Sequence, residues 1–324
     1  MSAAEFRSRE EAWLAKVATT QSAWTTGRAA LDAIVRRAMP DPGPISCHRI
    51  HAGVSNETYV CDVTRERVVV RIARGTEPRF AQERWAIEMA RSRGVPAPEI
   101  LLIVHEPSDA GVMSFCVERH LPGIALGALA RRRGPDDGLV TAALRSAGRL
   151  LAAIHDVPAR GYGPLDATGT GALLSWTEFL DRNHGTLQAG QPPEVERALL
   201  ALAAERAFLT ATPSRLLHFD FEPGHILLDE GTGEITGILD LEEAHGGDPA
   251  YDFAQWDVFH DVYAPVDPLV LGYLEHGGHA LEFARRRLLS EIHMRVRELV
   301  RGSVPAQFIG DARTRLARAL EALG

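Results

Sequence analysis

Acidic and histidine side chains are concentrated between residues 216 and 252. The segment contains His218, Asp220, Glu222, His225, Asp240, Glu242, Glu243, His245, Asp248 and Asp252. Two short β-rich runs surround a glycine-rich turn at 231–233 and predict an antiparallel hairpin. His225 precedes the first run and Asp240 follows the second. Because directly opposed residues of paired strands lie roughly 5 Å apart, both side chains are expected within reach of one metal ion.

Asp220 lies on the loop that precedes this hairpin. It comes five residues before His225, and the chain between them turns through Pro223 and Gly224, so its carboxylate can project beside the same ion. Phosphoryl transfer needs a carboxylate that orients or deprotonates the attacking hydroxyl, and it needs ligands for magnesium. Carboxylate oxygens suit Mg²⁺, whereas imidazole is a less usual ligand for it. The three side chains together indicate phosphoryl transfer.

The other polar residues of the segment have simpler interpretations. His245, Asp248 and Asp252, taken singly, are expected to be caps, turn residues or hydrogen-bonded polar groups. Asp248 precedes Pro249, a pattern typical of a helix N-cap. Three further carboxylates are expected on the acceptor side, where they could hold ammonium groups: Glu222, Glu242 and Glu243.

The segment resembles the catalytic core of the aminoglycoside phosphotransferase and choline kinase family, which shares the protein-kinase-like fold. That family carries His-x-Asp-x-x-x-x-Asn, then a strand, a turn, an Ile-x-Asp that ends the second strand, and a Gly-Asp-Pro-x-x-Asp helix start. The corresponding positions here are His218-Phe219-Asp220, His225, Ile238-Leu239-Asp240 and Gly247-Asp248-Pro249-Ala250-Tyr251-Asp252. The resemblance implies that Asp220 is the catalytic base and that His225 and Asp240 bind magnesium.

Two positions depart from the family pattern. His225 stands where most members have Asn, which is similar to the Pro-Gly-His form of macrolide phosphotransferases. Phe219 stands where many members have Gly, on the substrate side of the loop. His225 is therefore the best indication of the branch of the family to which the chain is similar.

The first half of the chain contains a cation and an acid in the order that the resemblance requires. The β-rich run ERVVVRIAR contains Arg71, and the helix predicted after it contains Glu83. Kinase-like enzymes place such a cation on the phosphates and hold it with a Glu from a helix. The resemblance implies this role for Arg71, since guanidinium also binds phosphate oxygens well.

Two further segments match the nucleotide side of the family. The turn at 51–56 separates the first two predicted strands, where the fold lays a loop over the triphosphate. Its backbone amides, Ser55 and Asn56 are expected to meet phosphate oxygens, although a plain hairpin turn explains the spacing equally well. The run SFCVERHLPG is similar to the hinge between lobes, where groups near Glu118 and His120 would pair with the purine.

The hydrophobic periodicity predicts a β-rich half followed by a mainly helical half. We expect an α+β, two-lobed, protein-kinase-like fold. Two lobes are expected because 324 residues exceed the chain length at which a single hydrophobic core stops growing. Residues 1–119 are predicted to form a nucleotide-binding lobe with a helical extension at 1–40, and residues 120–324 a catalytic and acceptor-binding lobe. Apart from a hairpin within 216–245, the second lobe is predicted to be helical, and its helices after Gly272 are expected to complete the acceptor pocket.

Composition limits the partners. A net charge of −8 argues against nucleic acid. Cys47, Cys61 and Cys116 lack CxxC spacing, so we expect no disulfide framework and a cytoplasmic location. The charged N-terminus does not have the pattern of a signal peptide, and no apolar run is long enough to cross a membrane. We expect a monomer or a weak homodimer.

These observations favour a kinase that transfers phosphate from ATP or GTP, with Mg²⁺, to a small-molecule hydroxyl. An aminoglycoside- or macrolide-type antibiotic is the preferred acceptor, and choline, homoserine or sugar kinases remain alternatives. A metal-dependent hydrolase would explain His225 but would leave Arg71 and Glu83 unused. A binding protein of the same fold without turnover is a third interpretation.

Overall fold

The computed structural model describes residues 2–22, 25–50, 56–74, 79–108, 111–185, 191–279 and 281–324. The first half consists of three helices and five strands. The helices are α1 (Ala3–Ser22), α2 (Arg28–Ala38) and α3 (Phe80–Ser92), and the strands are β1 (Ser46–Ile50), β2 (Glu57–Asp62), β3 (Arg67–Arg74), β4 (Ile100–Ser108) and β5 (Gly111–Arg119). The strands form one antiparallel sheet in the order β1-β2-β3-β5-β4.

Strand β3 shows how this sheet positions a functional side chain. Successive side chains of a strand point to opposite faces. Val68, Val70 and Ile72 are buried in a core that also contains Leu31, Ile34 and Val35 of α2. Arg71 therefore points to the other face of the sheet, where it lines a cavity of about 970 Å³, which is the main cavity among the described residues.

The second half is mainly helical, as predicted, with short strands between the helices. Its helices are α4 (Leu126–Arg133), α5 (Gly138–His155), α6 (Trp176–Asn183), α7 (Pro193–Ala204), α8 (Arg206–Thr210), α9 (Ala250–Phe259), α10 (Val266–Glu275), α11 (Phe283–Val300) and α12 (Ile309–Leu323). Its strands are β6 (Ile124–Ala125), β7 (Tyr162–Leu165), β8 (Gly171–Leu173), β9 (Arg215–Leu217), β10 (Ile226–Leu228), β11 (Ile235–Ile238) and β12 (His245–Gly247).

These short strands form two small sheets, β11-β10-β6 and β8-β7-β12-β9. The predicted hairpin is β10 and β11, but the prediction missed the second sheet. Strand β7 reads Tyr-Gly-Pro-Leu, and Gly and Pro are typical of turns. Its pairing comes from contacts distant in sequence, such as His245 opposite Pro164.

Helices α5 and α10 cross at two glycines. A Cβ atom at Gly148 would collide with the backbone of Leu269, and one at Gly272 would collide with the backbone of Arg145. The missing side chains therefore let the two helices approach closely. This contact fixes α5, whose last residue is the buried His155.

A disulfide joins Cys47 of β1 to Cys61 of β2. The expectation of no disulfide was therefore wrong, and the cysteine pattern no longer supports a reducing compartment. The two residues are 14 positions apart, and only the strand register shows that they face each other directly. Cys116 is free and buried.

Helix α1, which the sequence grouped with the first lobe as part of residues 1–40, makes contacts with the second half of the chain. The ring of Phe6 lies 4.7 Å from that of Tyr263, and Arg9 pairs with Glu298 at 2.7 Å. In contrast, the Thr26 amide donates to Glu57 of β2 at 2.8 Å. Within the described residues, no helix combines the length and the apolar character needed to span a bilayer.

Candidate functional site

The open end of the β10–β11 hairpin brings Asp220, His225 and Asp240 together, as the spacing predicted. One ligand atom from each lies within 4.8 Å of those of the other two. His225 Nε2 is 3.3 Å from Asp240 Oδ2, and His225 Nδ1 is 3.7 Å from Asp220 Oδ2. Ile226 pairs with Ile238, so the residues that flank these two positions are held side by side.

The imidazole of His225 has one nitrogen fixed and one available. Nδ1 lies 2.9 Å from the carbonyl oxygen of Asp220, and since a carbonyl only accepts, Nδ1 must carry a hydrogen. A neutral His225 would therefore present the lone pair of Nε2 towards Asp240. Burial lowers the pKa of His225, but the carboxylates of Glu222, Asp240 and Asp220 outweigh this effect and raise the pKa to about 9. A divalent cation competes with the proton for Nε2, and once that proton is displaced the donor set of two carboxylates and one imidazole fits such a cation.

Asp220 has the environment of a general base. Its Oδ1 accepts a hydrogen bond from the side chain of Gln255 at 2.9 Å, which orients the carboxylate. Burial raises the pKa of Asp220 to about 7, although the nearby His225 opposes this shift. Catalytic bases work best with a pKa near the operating pH. The carboxylate lines the main cavity and can therefore reach a substrate.

Two residues of the site have a left-handed backbone, which is uncommon for residues with a side chain. The φ angle is 66° at Phe219 and 64° at Asp240. Such conformations persist where the surroundings enforce them, and they cluster at active sites. Phe219 immediately precedes Asp220, and Asp240 is itself one of the three clustered residues. The two left-handed residues therefore set the direction of the Asp220 and Asp240 side chains.

The ring of Phe219 is held between two other rings. It stacks on His245 with a centroid distance of 3.6 Å and on Tyr251 at 5.3 Å. His245 Nδ1 donates to the carbonyl of Glu243 at 2.6 Å. Burial lowers the pKa of His245 to about 4, so its ring is neutral near pH 7. The stack fixes the residue that precedes Asp220.

Asp252 anchors the backbone of the same loop. Its carboxylate accepts the amides of His218 and Phe219, each at 2.9 Å, and it lies 3.0 Å from Nε2 of His155. Residue by residue, the sequence indicated only a structural role for Asp252, and His155 was not singled out. Both are positioning residues, because they hold the loop that carries Asp220. His155 stands in the segment AAIHDVPARGYGPLD, and its spacing from Asp252 gave no signal of their contact.

Arg71 and Glu83 are paired as predicted, and Glu118 joins them. Arg71 Nη2 lies 2.6 Å from Glu83 and 3.0 Å from Glu118, and its guanidinium lies 5.3 Å from the ring centre of Phe80. Burial raises the pKa of Glu83, and the adjacent Arg71 guanidinium opposes this shift. The side chain of Glu118 thus binds Arg71, a role that the prediction did not include.

Of the remaining residues predicted to contact the nucleotide, Asn56 and His120 are described by the structure. Asn56 donates to Glu242 at 3.2 Å, whereas Ser55 lies outside the described residues. His120 lines the cavity, but its amide already donates to the carbonyl of Arg67 at 3.1 Å. That amide is therefore engaged within the protein.

A cavity of about 970 Å³ is lined by the polar groups described above that face open space: Asp220, His225, Asp240, Gln255, Arg71, Glu118, Asn56 and His120. Its apolar lining includes Ile50, Val60 and Val69 of the first sheet, together with Leu121 and Leu239. It is also lined by α1 and by the chain from the end of α9 onwards, through Phe6, Glu10, Trp13, Phe259, His260 and Tyr263. The helices after Gly272 were expected to complete the acceptor pocket. Among the described residues, none beyond Tyr263 lines this cavity, and the expected contribution of those helices to acceptor binding stays a prediction.

Comparison with known proteins identifies similar sequences. The family described as Phosphotransferase enzyme family matches residues 46–289. The hygromycin-B 4-O-kinase of Escherichia coli is 26% identical over 214 residues, which are 64% of this chain and 60% of the length of that kinase. The chain thus spans less than two thirds of that curated relative.

Solved structures of similar fold include two antibiotic phosphotransferases. Aminoglycoside phosphotransferase APH(4)-Ia has a TM-score of 0.67 with 20% identity, covering 92% of this chain and all of the other. One structure of a thermostable mutant of it holds AMP-PNP and hygromycin B. Macrolide 2'-phosphotransferase MphH from Brachybacterium faecium has a TM-score of 0.57 with 19% identity, covering 90% of this chain and 98% of the other. These likenesses confirm the predicted fold.

Proposed function

We propose, because this chain belongs to the phosphotransferase enzyme family, that it transfers the γ-phosphoryl group of ATP or GTP to a hydroxyl of a small molecule. One observation carries the proposal. Asp220, His225 and Asp240 converge at the hairpin end and line the same cavity as Arg71. A base, a cation site and a phosphate-binding guanidinium in one cavity are the parts that phosphoryl transfer needs.

Each of these groups has a task in this reaction. Asp220, oriented by Gln255, accepts the proton of the attacking hydroxyl. Arg71 binds phosphate oxygens while its carboxylate partners hold it in place. His225 and Asp240 would hold Mg²⁺, which neutralises charge on the phosphates when it is bound.

The buried ion pairs favour a kinase over a hydrolase. Arg71 is nearly buried between Glu83 and Glu118, and a charged group of this kind is costly to bury without partners. Water activation by a metal-dependent hydrolase does not require the Arg71 guanidinium, whereas the phosphates of a nucleoside triphosphate need a cation at this position. The nucleotide would lie between Arg71 and the cavity wall that includes His120 and Leu121.

We propose a hydroxylated antibiotic of the aminoglycoside or macrolide type as the acceptor. Relatives with these activities support this choice, namely the hygromycin-B kinase and the macrolide phosphotransferase. The acceptor end of the cavity also combines the Glu222 carboxylate with the rings of Phe259 and Tyr263. Carboxylates bind ammonium groups, and aromatic faces pack against apolar ring faces.

Mass spectrometry of a panel of hydroxylated antibiotics, incubated with ATP or GTP and Mg²⁺, tests the proposal. The same panel includes choline and homoserine, because phosphorylation of these would identify a metabolic kinase. Asp220→Asn should lower kcat on the identified acceptor by about 10²- to 10⁴-fold. Nucleotide affinity should stay within about twofold, because the carboxylate acts on the acceptor hydroxyl.

Glu230→Gln is the matched control for this substitution. Glu230 lies at the closed end of the same hairpin and is half exposed, so its loss of charge should leave kcat unchanged. Full activity of Asp220→Asn would refute the assignment of the base. Absence of phosphate transfer to every member of the panel would refute the proposed reaction.

A further inference from the structure

Helix α1 lies over one end of the catalytic cavity. Phe6, Glu10 and Trp13 all line the cavity that also contains Asp220. Their spacing of four and three residues places them on one face of a helix. This face is thus directed at the cavity, although most of the helix is exposed.

Contacts with the second half of the chain hold α1 in this place. Glu5 is buried and accepts from Arg315 at 2.6 Å. Arg9 pairs with both Glu5 and Glu298, at 3.1 and 2.7 Å. The ring of Phe6 packs on Tyr263 at 4.7 Å. The helix is therefore anchored at its N-terminal end. This anchoring determines which face of the helix is directed at the cavity.

The end of the cavity that α1 covers is the acceptor end. In the proposed function the nucleotide lies beside Arg71 and the apolar residues of the first sheet that line the cavity. On the other side of Asp220 lie Glu222 and His260, whose Oε2 and Nε2 atoms are 3.6 Å apart, and then Tyr263. Because Tyr263 contacts Phe6, α1 continues the wall that these residues begin.

The α1 face has the chemistry to bind an acceptor. Trp13 is 45% exposed, so much of its indole ring is free for contact with a ligand. The Glu10 carboxylate lies 3.9 Å from Arg131, and both side chains are more than a third exposed. A long, exposed ion pair is weak, and so the carboxylate remains available to an ammonium group.

We propose that α1 forms a wall of the acceptor site and that Trp13 and Glu10 determine which acceptors bind. The acceptor class is a hydroxylated compound that carries an apolar ring face and an amino group. The ring face packs on the indole, and the amino group meets the Glu10 and Glu222 carboxylates. This inference rests on the proposed function, since it concerns the acceptor that binds in the same cavity.

Direct binding tests the inference without turnover. The full-length protein, saturated with ADP and Mg²⁺, is titrated calorimetrically with hygromycin B, kanamycin A and erythromycin. For each compound that binds the unmodified protein, Trp13→Ala should weaken Kd by about tenfold, the upper range of one aromatic contact. Glu10→Gln should weaken Kd by about threefold, and more at low salt than at high salt.

Leu14→Ala is the matched control. Leu14 is the neighbour of Trp13, is 54% exposed and does not line the cavity, so its removal should leave Kd for each compound unchanged. The Kd for ADP should be equal in all variants. Equal acceptor affinity of Trp13→Ala and the unmodified protein would overturn the inference, and so would absence of binding by all three compounds.

The test separates this inference from the proposed function. If an antibiotic binds, depends on Trp13 and is not phosphorylated in the presence of ATP and Mg²⁺, the wall is confirmed and the reaction is wrong. If the antibiotic is phosphorylated with the same KM by Trp13→Ala, the reaction stands and the wall is wrong.

Discussion

At the scale of single residues, Phe219 has the most unusual combination of properties. Its backbone is left-handed, with φ of 66°, a conformation that costs a residue with a Cβ atom about 1 kcal/mol or more. Its ring is stacked between His245 and Tyr251, which offsets that cost. Ring contacts thus hold a left-handed turn before Asp220 that Gly would adopt at lower cost.

Phe219 substitutions should therefore follow an unusual order of stability. Phe219→Ala keeps the left-handed cost and loses the stack, so the free energy of unfolding should fall by about 2 to 4 kcal/mol. Phe219→Gly loses the stack but also relieves the backbone, so it should be about 1 kcal/mol more stable than the Ala variant. Urea unfolding measures both values. A Gly variant that is less stable than the Ala variant would show that the backbone is not strained.

Residue-level prediction succeeded where the geometry is local. The positions of His225 and Asp240 follow from one short hairpin, whose register the turn at 231–233 determines. The roles of Asp252 and His155 depend on contacts over 33 to 97 positions, which spacing does not reveal. The pairing of Glu118 with Arg71 likewise needs the cross-strand register of two strands that are distant in sequence.

At the scale of elements, the β1–β2 hairpin is the clearest difference from the sequence-based expectation. The strands themselves were predicted from short β-rich runs, but the facing of Cys47 and Cys61 was not. The pairing register of β1 and β2 determines whether the two cysteines face each other, and this register depends on the loop between the strands. The disulfide closes a loop that includes residues 51–55 and so covalently links both ends of the predicted phosphate-binding turn.

Reduction of this disulfide should destabilise the protein. A loop closed over 14 positions is expected to stabilise the folded state by about 3 kcal/mol, because the link restricts the unfolded chain. Urea unfolding with and without a phosphine reductant measures the difference. A Cys47→Ser, Cys61→Ser double variant serves as control and should not respond to the reductant. Equal unfolding midpoints of the unmodified protein with and without reductant would contradict this prediction.

At the scale of the whole molecule, the dependence of stability on pH is a sum of opposing contributions. Burial lowers the pKa of several histidines to about 4 or below: His218, His245, His260 and His293. Burial raises the pKa of Asp220 and Glu83. Between pH 4 and 6.5 the unfolded state binds more protons at such histidines, so their contribution decreases as the pH falls. The raised carboxylates act in the opposite direction, so only a comparison of variants isolates one group.

His245→Asn should reduce the loss of stability in acid. Asn keeps a donor for the Glu243 carbonyl but does not titrate. The pKa of His245 is about 4 in the folded protein and about 6.5 when unfolded. Between pH 7.5 and 5 the unmodified protein should therefore lose about 2 kcal/mol more free energy of unfolding than the variant. Parallel losses in the two proteins, measured by urea unfolding at each pH, would show that His245 is protonated in the folded state.

Helix α1 also has a mechanical consequence. Its N-terminal end is attached to the helical half through Phe6 and Arg9, while Thr26, a few residues beyond it, is bound to Glu57 in the first sheet. The chain therefore crosses between the halves twice, once here and once after Arg119 at the end of β5. Two separate chain connections between the halves restrict their relative motion more than a single connection would.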